Sequence, residues 1–314
     1  MDEVRKKMSR KAVIDLGTNT CNLLIADIYP DGSFKTIYDR KLPVKLGRGG
    51  IHKKILLPEA INRGIEAFRN HSKTIEEYKA EEVKVVATSA MRGASNSVEL
   101  TKEVKRLFGW DIEIIDGEKE AALIFQGVSL SLPDDLKKYL IVDIGGGSIE
   151  FIFAHDNKMI WKRSFNIGIA RILELFRISD PILHDEIISV EEWFDQNLRE
   201  LWDFCELNHP SILVGCSGAF DTFMDIYEQT DPDLKLRKAS ELPLQEFYKI
   251  HHRLIESRSD TRSRMKGMDM IRVEMIVIAS VFTNFMLRKC NISKLIHTHY
   301  ALKEGVMREW IEGK

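Results

Sequence analysis

The stretch LIVDIGGGSIE, residues 140–150, joins an apolar run to an aspartate, three consecutive glycines, a serine and a glutamate. This order predicts a buried strand that ends near Asp143 and turns through Gly145, Gly146 and Gly147 into a second strand. Glycines permit close backbone approach, so successive N–H groups can point at one anion. The stretch has neither the GK[ST] of a Walker loop nor the GxGxxG spacing of a dinucleotide site. Taken alone, it favours a plain tight turn over a phosphate-binding loop.

The same pattern occurs earlier in the chain. Residues 12–40, AVIDLGTNTCNLLIADIYPDGSFKTIYDR, and residues 140–165, LIVDIGGGSIEFIFAHDNKMIWKRSF, each have a strand ending in Asp-x-Gly, a polar loop, a second strand, a polar turn and a third strand. The turns YPDGSF and HDNK are typical of hairpins. One unit found twice at about a domain length predicts two similar α/β domains, each presenting its loop to a shared cleft. Such strand-to-loop junctions are where α/β proteins usually bind ligands.

The composition is that of an ordinary globular protein, with 314 residues, 44% hydrophobic and 30% charged. A formal net charge of −2 gives no sign of bulk binding to nucleic acid or membrane, and no apolar stretch is long enough to span a bilayer. The four cysteines are scattered without a CxxC pair, and the N-terminus lacks the apolar core of a signal peptide. We therefore expect a cytoplasmic protein with reduced thiols and with neither nucleic acid nor membrane as a partner.

Helical and strand patterns alternate through the rest of the chain. Apolar residues at helical spacing predict one helix around Ile61–Ile75 and a long one from Ile271 to Met286. The runs EVKVVATSA (82–90), WDIEIIDG (110–117) and SILVGCSG (211–218) predict strands.

Carboxylates flank both Asp-x-Gly loops. Asp143 precedes the glycine loop, Glu150 follows it, and Asp15 precedes the other loop. Negative charges beside a phosphate-binding loop would repel the ligand unless a hard divalent cation lay between them. The sequence therefore predicts Mg²⁺ held by Asp143 and Glu150, with Asp15 as an alternative second ligand. The predicted phosphate-binding residues of the two loops are Asp15, Gly17, Thr18, Asn19, Gly145, Gly146, Gly147 and Ser148.

Two further stretches carry groups suited to phosphate chemistry. Arg92, in VVATSAMRGASNS, follows a strand where it can clamp a phosphate, although a surface arginine on a helix is more common. Glu118 and Glu120 begin a helix after IIDG, where a glutamate usually only balances the helix dipole. Beside bound phosphates, however, the pKa of such a glutamate would rise, and it could take a proton from water.

Two stretches in the second half of the chain each allow a purely structural and a ligand-binding interpretation, with equal weight. VGCSGAFD, residues 214–221, is either a plain turn or a close approach to a phosphate or base through Gly215, Ser217 and Gly218. RSDTRSRMKGMDMIR, residues 258–272, is either a solvated basic loop or part of a positive wall for a polyanion. The histidines at 297 and 299 have no partner at metal-ligand spacing along the chain.

Several of these stretches resemble, in order, those of the exopolyphosphatase and guanosine pentaphosphate phosphohydrolase (Ppx/GppA) family. The resemblance runs from about residue 12 to 310, and it is carried by the motifs DLGTNTCNLLIADI, VATSAMRGASN, IIDGEKEAALIFQGV, LIVDIGGGSIEF, FNIGIARI, VGCSGAFD and HYALKEGV. It implies two ribonuclease-H-like domains of the actin, sugar-kinase and heat-shock ATPase superfamily flanking a central cleft. The first would comprise residues 1–125, with 300–314 packing back on it, and the second residues 126–299.

The resemblance also implies a function. It suggests a hydrolase that releases terminal phosphate from inorganic polyphosphate or guanosine pentaphosphate with the help of Mg²⁺. Glu120, immediately before Ala121, matches the catalytic glutamate in preference to Glu118, and Arg92 matches a phosphate-binding arginine. A short two-domain form and a homodimer are expected on the same ground.

Departures from the family pattern bear on substrate preference. Lys45 and Lys303 stand where arginine is common, and Ala219 stands where threonine is common. Lysine keeps the charge of arginine but loses its bidentate geometry. Two other functions therefore stay open: a small-molecule kinase of the same superfamily, and a catalytically weak regulator that binds polyphosphate or an alarmone.

Overall fold

The computed structural model describes residues 9–216, 218–232, 234 and 238–313. The chain divides into two compact units, Met1–Gly127 with Leu302–Lys314 as unit 1 and Val128–Ala301 as unit 2. Both boundaries fall two residues later than the predicted 125/126 and 299/300. None of the described helices combines the length and the apolar character that crossing a membrane requires.

The strands are β1 (Ser9–Leu16), β2 (Thr20–Ile28), β3 (Phe34–Pro43), β4 (Glu82–Ala87), β5 (Ile112–Ile114), β6 (Lys138–Ile144), β7 (Ile149–His155), β8 (Lys158–Phe165), β9 (Ile212–Cys216), β10 (Ala239–Glu241) and β11 (Lys294–Thr298). The helices are α1 (Pro58–Glu77), α2 (Ser89–Gly93), α3 (Ser97–Phe108), α4 (Gly117–Ser129), α5 (Ile169–Leu175), α6 (His184–Asn197), α7 (Arg199–Asn208), α8 (Gly218–Glu228), α9 (Leu244–Glu256), α10 (Ser259–Arg262), α11 (Ile276–Lys289) and α12 (Leu302–Ile311).

Unit 1 is built on a five-stranded sheet in the order β3-β2-β1-β4-β5. The first three strands form an antiparallel meander, and β4 and β5 continue it parallel to β1. Ala12, Ile14 and Leu16 of β1 belong to one core with Phe68 of α1. Successive side chains of a strand point to opposite faces, so Asp15 lies on the other face of β1. Helix α12 packs against β1 and β2.

Unit 2 repeats this topology. Its sheet has the order β10-β11-β9-β6-β7-β8, in which β6, β7, β8, β9 and β11 occupy the places of β1 to β5, and β10 adds an antiparallel edge. Strands β9 and β11 run parallel to β6, as β4 and β5 run parallel to β1. The predicted fold class, an α/β protein with two ribonuclease-H-like domains, is confirmed.

The helix predicted from Ile271 to Met286 was wrong at its start. Helix α11 begins at Ile276, because Asp269 organises the preceding residues into turns. Its Oδ1 accepts the Ile271 N–H at 3.0 Å and its carbonyl accepts the Arg272 N–H at 2.8 Å. An aspartate that bonds the backbone two residues on favours a turn over a helix. The predicted helix around Ile61–Ile75 and the three predicted strands are present as α1, β4, β5 and β9.

Candidate functional site

The first predicted phosphate-binding loop joins β1 to β2 in unit 1. The Gly17 N–H donates to the Thr20 carbonyl at 2.9 Å, and Thr18 and Asn19 are buried. Residues 44–47, directly after β3, donate four backbone hydrogen bonds of 2.7–3.4 Å to the carbonyls of Thr18 and Asn19. The protein itself thus binds the loop carbonyls, so the loop cannot turn them towards an anion.

The segment that binds this loop is itself held by Arg63 of α1. The guanidinium donates from Nε to the Val44 carbonyl and from a terminal nitrogen to the Lys45 carbonyl, both at 2.8 Å. Lys45 has a φ of 42°, in the left-handed region that non-glycine residues rarely adopt. Its backbone therefore has a defined role in shaping the loop, whatever its side chain binds.

Asp15 lies directly before this loop and opposite Asn22 of β2. Asn22 Nδ2 donates to Asp15 Oδ2 at 2.8 Å. Burial raises the pKa of Asp15 to about 6, and the bond from Asn22 and the charge of Lys303 oppose this rise. Lys303 Nζ lies 2.9 Å from Glu304 and 3.4 Å from Asp39. Asp15 is therefore a carboxyl group that titrates much closer to neutral pH than an ordinary aspartate.

Arg92 and Glu120 form an ion pair in unit 1. Arg92 lies at the end of α2, and one of its terminal nitrogens lies 3.0 Å from Glu120 Oε2 and donates to the Ile115 carbonyl at 2.8 Å. Glu120 is only 6% exposed. Two candidates 28 residues apart in the sequence are thus brought into direct contact.

The same helical turn carries a second glutamate in a different environment. Asp116 begins the turn, where its Oδ1 accepts the Lys119 N–H at 2.7 Å, as an N-cap side chain does. Glu118 is exposed whereas Glu120 is buried. Because both glutamates belong to one turn, Glu118 is a matched reference for experiments on Glu120.

The second predicted loop joins β6 to β7 in unit 2 and turns tightly. A Cβ on Gly145 would lie 2.6 Å from the Ser148 carbonyl oxygen, so this position requires glycine. The carbonyls of Gly145 and Gly146 accept the N–H groups of residues 169 and 170 at 3.1 and 2.8 Å. As in unit 1, the segment that follows the third strand binds the loop carbonyls.

Two residues of that segment contact the loop closely. Arg171 Nε donates to the Gly147 carbonyl at 2.7 Å. A Cβ on Gly168 would lie 2.4 Å from the Gly146 carbonyl carbon and 2.5 Å from the Gly147 nitrogen. Among the described residues, the N–H groups of Gly146 and Gly147 donate to no protein acceptor. The loop therefore has two N–H groups suited to an anion.

The predicted metal ligands are direct neighbours across the same hairpin. Asp143 of β6 is paired with Glu150 of β7. Side chains of directly opposed residues share a face, with Cβ atoms about 4.5–5.5 Å apart. Glu150 is 2% exposed and accepts a hydrogen bond from Ser164 Oγ at 2.7 Å. Two adjacent carboxylates beside a glycine loop fit Mg²⁺, which usually binds one or two carboxylates and completes its shell with water and phosphate oxygens.

The turn after β9 contains the last predicted phosphate-binding residues. Gly215 packs under Phe220, whose ring would lie 2.1 Å from an added Cβ. Gly218 has a φ of 43°, and its added Cβ would lie 2.4 Å from the Arg272 guanidinium. Ser217 lies outside the described residues. The Arg272 guanidinium, which is not among the predicted phosphate-binding residues, thus lies against Gly218.

The basic stretch 258–272 divides between the core and the surface. Arg262 is buried, 2.9 Å from Asp180, and donates to the Val273 carbonyl at 3.1 Å. Within the described residues, no group accepts a hydrogen bond from the buried Arg272 Nε. The exposed basic residues of the stretch are Arg258, Arg264 and Lys266. The stretch is therefore not a uniformly solvated loop.

Sequence reasoning missed the partners of the predicted residues. These are Asn22, Arg63, Ser164, Arg171 and Arg272. Asn22 left a signal, because it follows Asp15 by the same seven positions that separate Glu150 from Asp143, and Arg272 belonged to the basic stretch 258–272 but was not linked to Gly218. The others come from elsewhere in the chain. The catalytic, phosphate-binding and metal-binding roles themselves stay predictions.

Comparison with known proteins finds relatives that match nearly the whole chain. The model of the Ppx/GppA phosphatase family matches residues 24–313. The crystal structure of an exopolyphosphatase from Cytophaga hutchinsonii is 35% identical with a TM-score of 0.92, covering 97% of this chain and 98% of that one.

Two curated relatives are longer than the chain. The bifunctional 3-dehydroquinate synthase/phosphatase of Fusobacterium nucleatum is 32% identical over 97% of the chain, which spans about half (47%) of that protein. The guanosine-5'-triphosphate,3'-diphosphate pyrophosphatase of Vibrio cholerae is 25% identical over 96% of the chain, which spans 59% of it.

Proposed function

The chain belongs to the Ppx/GppA phosphatase family, and from that premise we propose that it hydrolyses the terminal phosphoanhydride bond of a polyanion. The substrate class is inorganic polyphosphate or guanosine pentaphosphate, since relatives bear the names of both activities. The observation that carries the proposal is the buried Glu120 held at 3.0 Å by Arg92.

In this proposal Glu120 is the general base. Water attacks the terminal phosphorus while its proton passes to Glu120, and the bridging P–O bond breaks with its electron pair going to the shortened chain. Arg92 orients the Glu120 carboxylate, and the Ile115 carbonyl fixes Arg92 in turn. A positioned base of this kind contributes roughly 100- to 10,000-fold to a rate.

The glycine loop of unit 2 binds phosphate oxygens through backbone N–H groups. Its carbonyls already accept hydrogen bonds from residues 169–171, so they do not oppose an anion. The corresponding loop of unit 1, residues 17–19, has its carbonyls bound by residues 44–47 and takes the same role. Fixed backbone dipoles stabilise phosphoryl charge without reorganising during the reaction.

Asp143 and Glu150 would hold Mg²⁺, which supplies charge neutralisation for the phosphate oxygens when bound. The direct pairing of the two carboxylates across β6 and β7 supports this assignment. Ser164, which donates to Glu150, orients that carboxylate.

The test compares Glu120→Gln with Glu118→Gln. We expect the first to lower kcat roughly 100- to 10,000-fold and the second to leave it nearly unchanged. Phosphate release is measured with long polyphosphate, guanosine pentaphosphate and ATP, each with and without Mg²⁺ and with no phosphate acceptor. Near-normal turnover in a folded Glu120→Gln protein would remove Glu120 from the mechanism. Phosphate transfer that requires an added acceptor would indicate a kinase instead.

A further inference from the structure

Three potential metal ligands, none of them among the predicted catalytic, phosphate-binding or Mg²⁺-binding residues, meet in unit 2. Asp221 Oδ1 lies 2.9 Å from His297 Nε2 and 2.8 Å from His299 Nδ1. The side chains of Asp221, His297 and His299 are 13%, 3% and 11% exposed. Burial raises the pKa of Asp221, but the hydrogen bonds from the two imidazoles outweigh it and hold that pKa well below its usual range.

The topology explains why these groups meet. Strands β9 and β11 are parallel neighbours with Cys216 opposite Thr298, so their carboxyl ends lie at one edge of the sheet. Helix α8 starts directly after β9 and carries Asp221 in its first turn to that edge. His297 lies in β11 and His299 directly follows its last residue, and both imidazoles reach Asp221 Oδ1. The ligand that the histidines lack along the chain comes from 76 and 78 residues upstream.

The ligand set has a clear chemical preference. Two imidazole nitrogens and one carboxylate oxygen suit Zn²⁺ and neighbouring divalent transition metals, whereas Mg²⁺ prefers oxygen alone. The three ligand atoms all lie within 4.8 Å of one another. Around a tetrahedral ion with bonds of about 2.0–2.2 Å, ligand atoms are roughly 3.4 Å apart. The two contacts between Asp221 and the imidazoles would therefore open by only about half an ångström.

We propose that Asp221, His297 and His299 bind one divalent cation of the Zn²⁺ class. On binding, each imidazole nitrogen that now donates to Asp221 gives up its proton, to the other ring nitrogen or to solvent, and presents a lone pair to the ion. Three protein ligands leave at least one position for water or an anionic oxygen.

This site is separate from the one proposed for Mg²⁺. Along the sheet edge Asp143 is paired with Cys216, and Cys216 with Thr298. Two strand spacings of about 4.8 Å separate the backbone at Asp143 from that at Thr298, or roughly 10 Å. Paired residues share a face of the sheet, so Asp143 lies on the face of Thr298 and the neighbouring His297 on the opposite face.

The test measures Zn²⁺ and Co²⁺ binding to the full chain by titration calorimetry without substrate, so that it does not depend on the proposed hydrolysis. We expect one ion per chain that a large excess of Mg²⁺ does not displace. His297→Gln and His299→Asn preserve a donor towards Asp221 while removing the imidazole, and each should weaken binding at least roughly 10- to 100-fold.

Two control variants test other ligands. His252→Gln removes an exposed imidazole of another adjacent pair, whose rings are 5.7 Å apart, and should leave the affinity unchanged. Cys205→Ser removes a buried thiol, a competing zinc ligand, and should also leave it unchanged.

Anomalous diffraction from Zn²⁺-treated crystals of the unaltered protein locates the ion directly, so the test holds even if a variant unfolds. Density between Asp221 and the two histidines supports the proposal. Absence of 1:1 binding, equal affinity in His299→Asn, or an ion bound only elsewhere would overturn it.

Discussion

The two Asp-x-Gly hairpins have the same backbone pairing but a different chemistry. Asp15 and Asp143 occupy equivalent positions, and the residue opposite each is Asn22 in unit 1 and Glu150 in unit 2. An amide donates a hydrogen bond to its carboxyl neighbour, whereas a second carboxylate repels it. Unit 1 therefore pairs its aspartate with a hydrogen-bond donor, whereas unit 2 sets two carboxylates side by side, as in the Mg²⁺ site that we propose there. The two copies share the backbone pairing, and only the copy in unit 2 offers two carboxylates to a cation.

The largest effect is expected from Asp15→Asn, which makes the unit 1 pair entirely neutral. Burial raises the pKa of Asp15 from 3.8 to about 6, so the ionised form destabilises the folded protein. This loss of unfolding free energy is absent below about pH 4, grows as the pH rises towards 6, and is complete above pH 6. The variant should therefore gain up to about 3 kcal/mol of unfolding free energy at pH 7.5, and no gain at pH 4.

The measurement is urea denaturation of both proteins from pH 4 to 8. Asp31→Asn is the control, because hydrogen bonds from Ser33 lower the pKa of Asp31 and its removal should act in the opposite direction. If the unfolding free energies of the wild type and Asp15→Asn differ by the same amount at every pH, the raised pKa of Asp15 is contradicted.

The second effect concerns Glu150→Gln, which gives unit 2 the carboxyl–amide pair of unit 1. We expect the Mg²⁺ concentration for half-maximal phosphate release to rise roughly 10- to 100-fold, because one charged oxygen ligand is lost. Asn22→Ala, the matched change in unit 1, should leave this concentration unchanged. Equal shifts in both variants would show that the cation does not distinguish the hairpins.

The smallest effect compares the loop glycines. Gly145→Ala would push its Cβ to 2.6 Å from the Ser148 carbonyl oxygen, whereas Gly17→Ala would leave 3.2 Å to that of Thr20. We expect the first to cost about 1–3 kcal/mol and the second to stay within about 1 kcal/mol of the unaltered protein. Thermal unfolding followed by circular dichroism measures both. Equal losses would mean that the two loops are equally tight.

The sequence repeat predicted two similar α/β units because the Asp-x-Gly pattern marks the first hairpin of each sheet, and the family resemblance supplied the ribonuclease-H-like fold. The repeat also indicated the two loops and the carboxylates of Asp15, Asp143 and Glu150. The atoms that bind the loop carbonyls were not predictable, since residues 44–47 and 169–171 act mainly through backbone N–H groups that any residue except proline supplies. The contact of Asp221 with His297 could not be predicted either, because it depends on the neighbouring positions of β9 and β11.

The closeness of Gly168 to the Gly146–Gly147 peptide has a consequence for recognising such loops in other sequences. A side chain at 168 cannot coexist with the present loop, although 21 residues separate Gly168 from Gly147. The sequence signature of this loop's packing is therefore discontinuous: a glycine run together with one distant glycine. A designer who transplanted only the glycine run into another sheet would leave out Gly168, against which the loop packs.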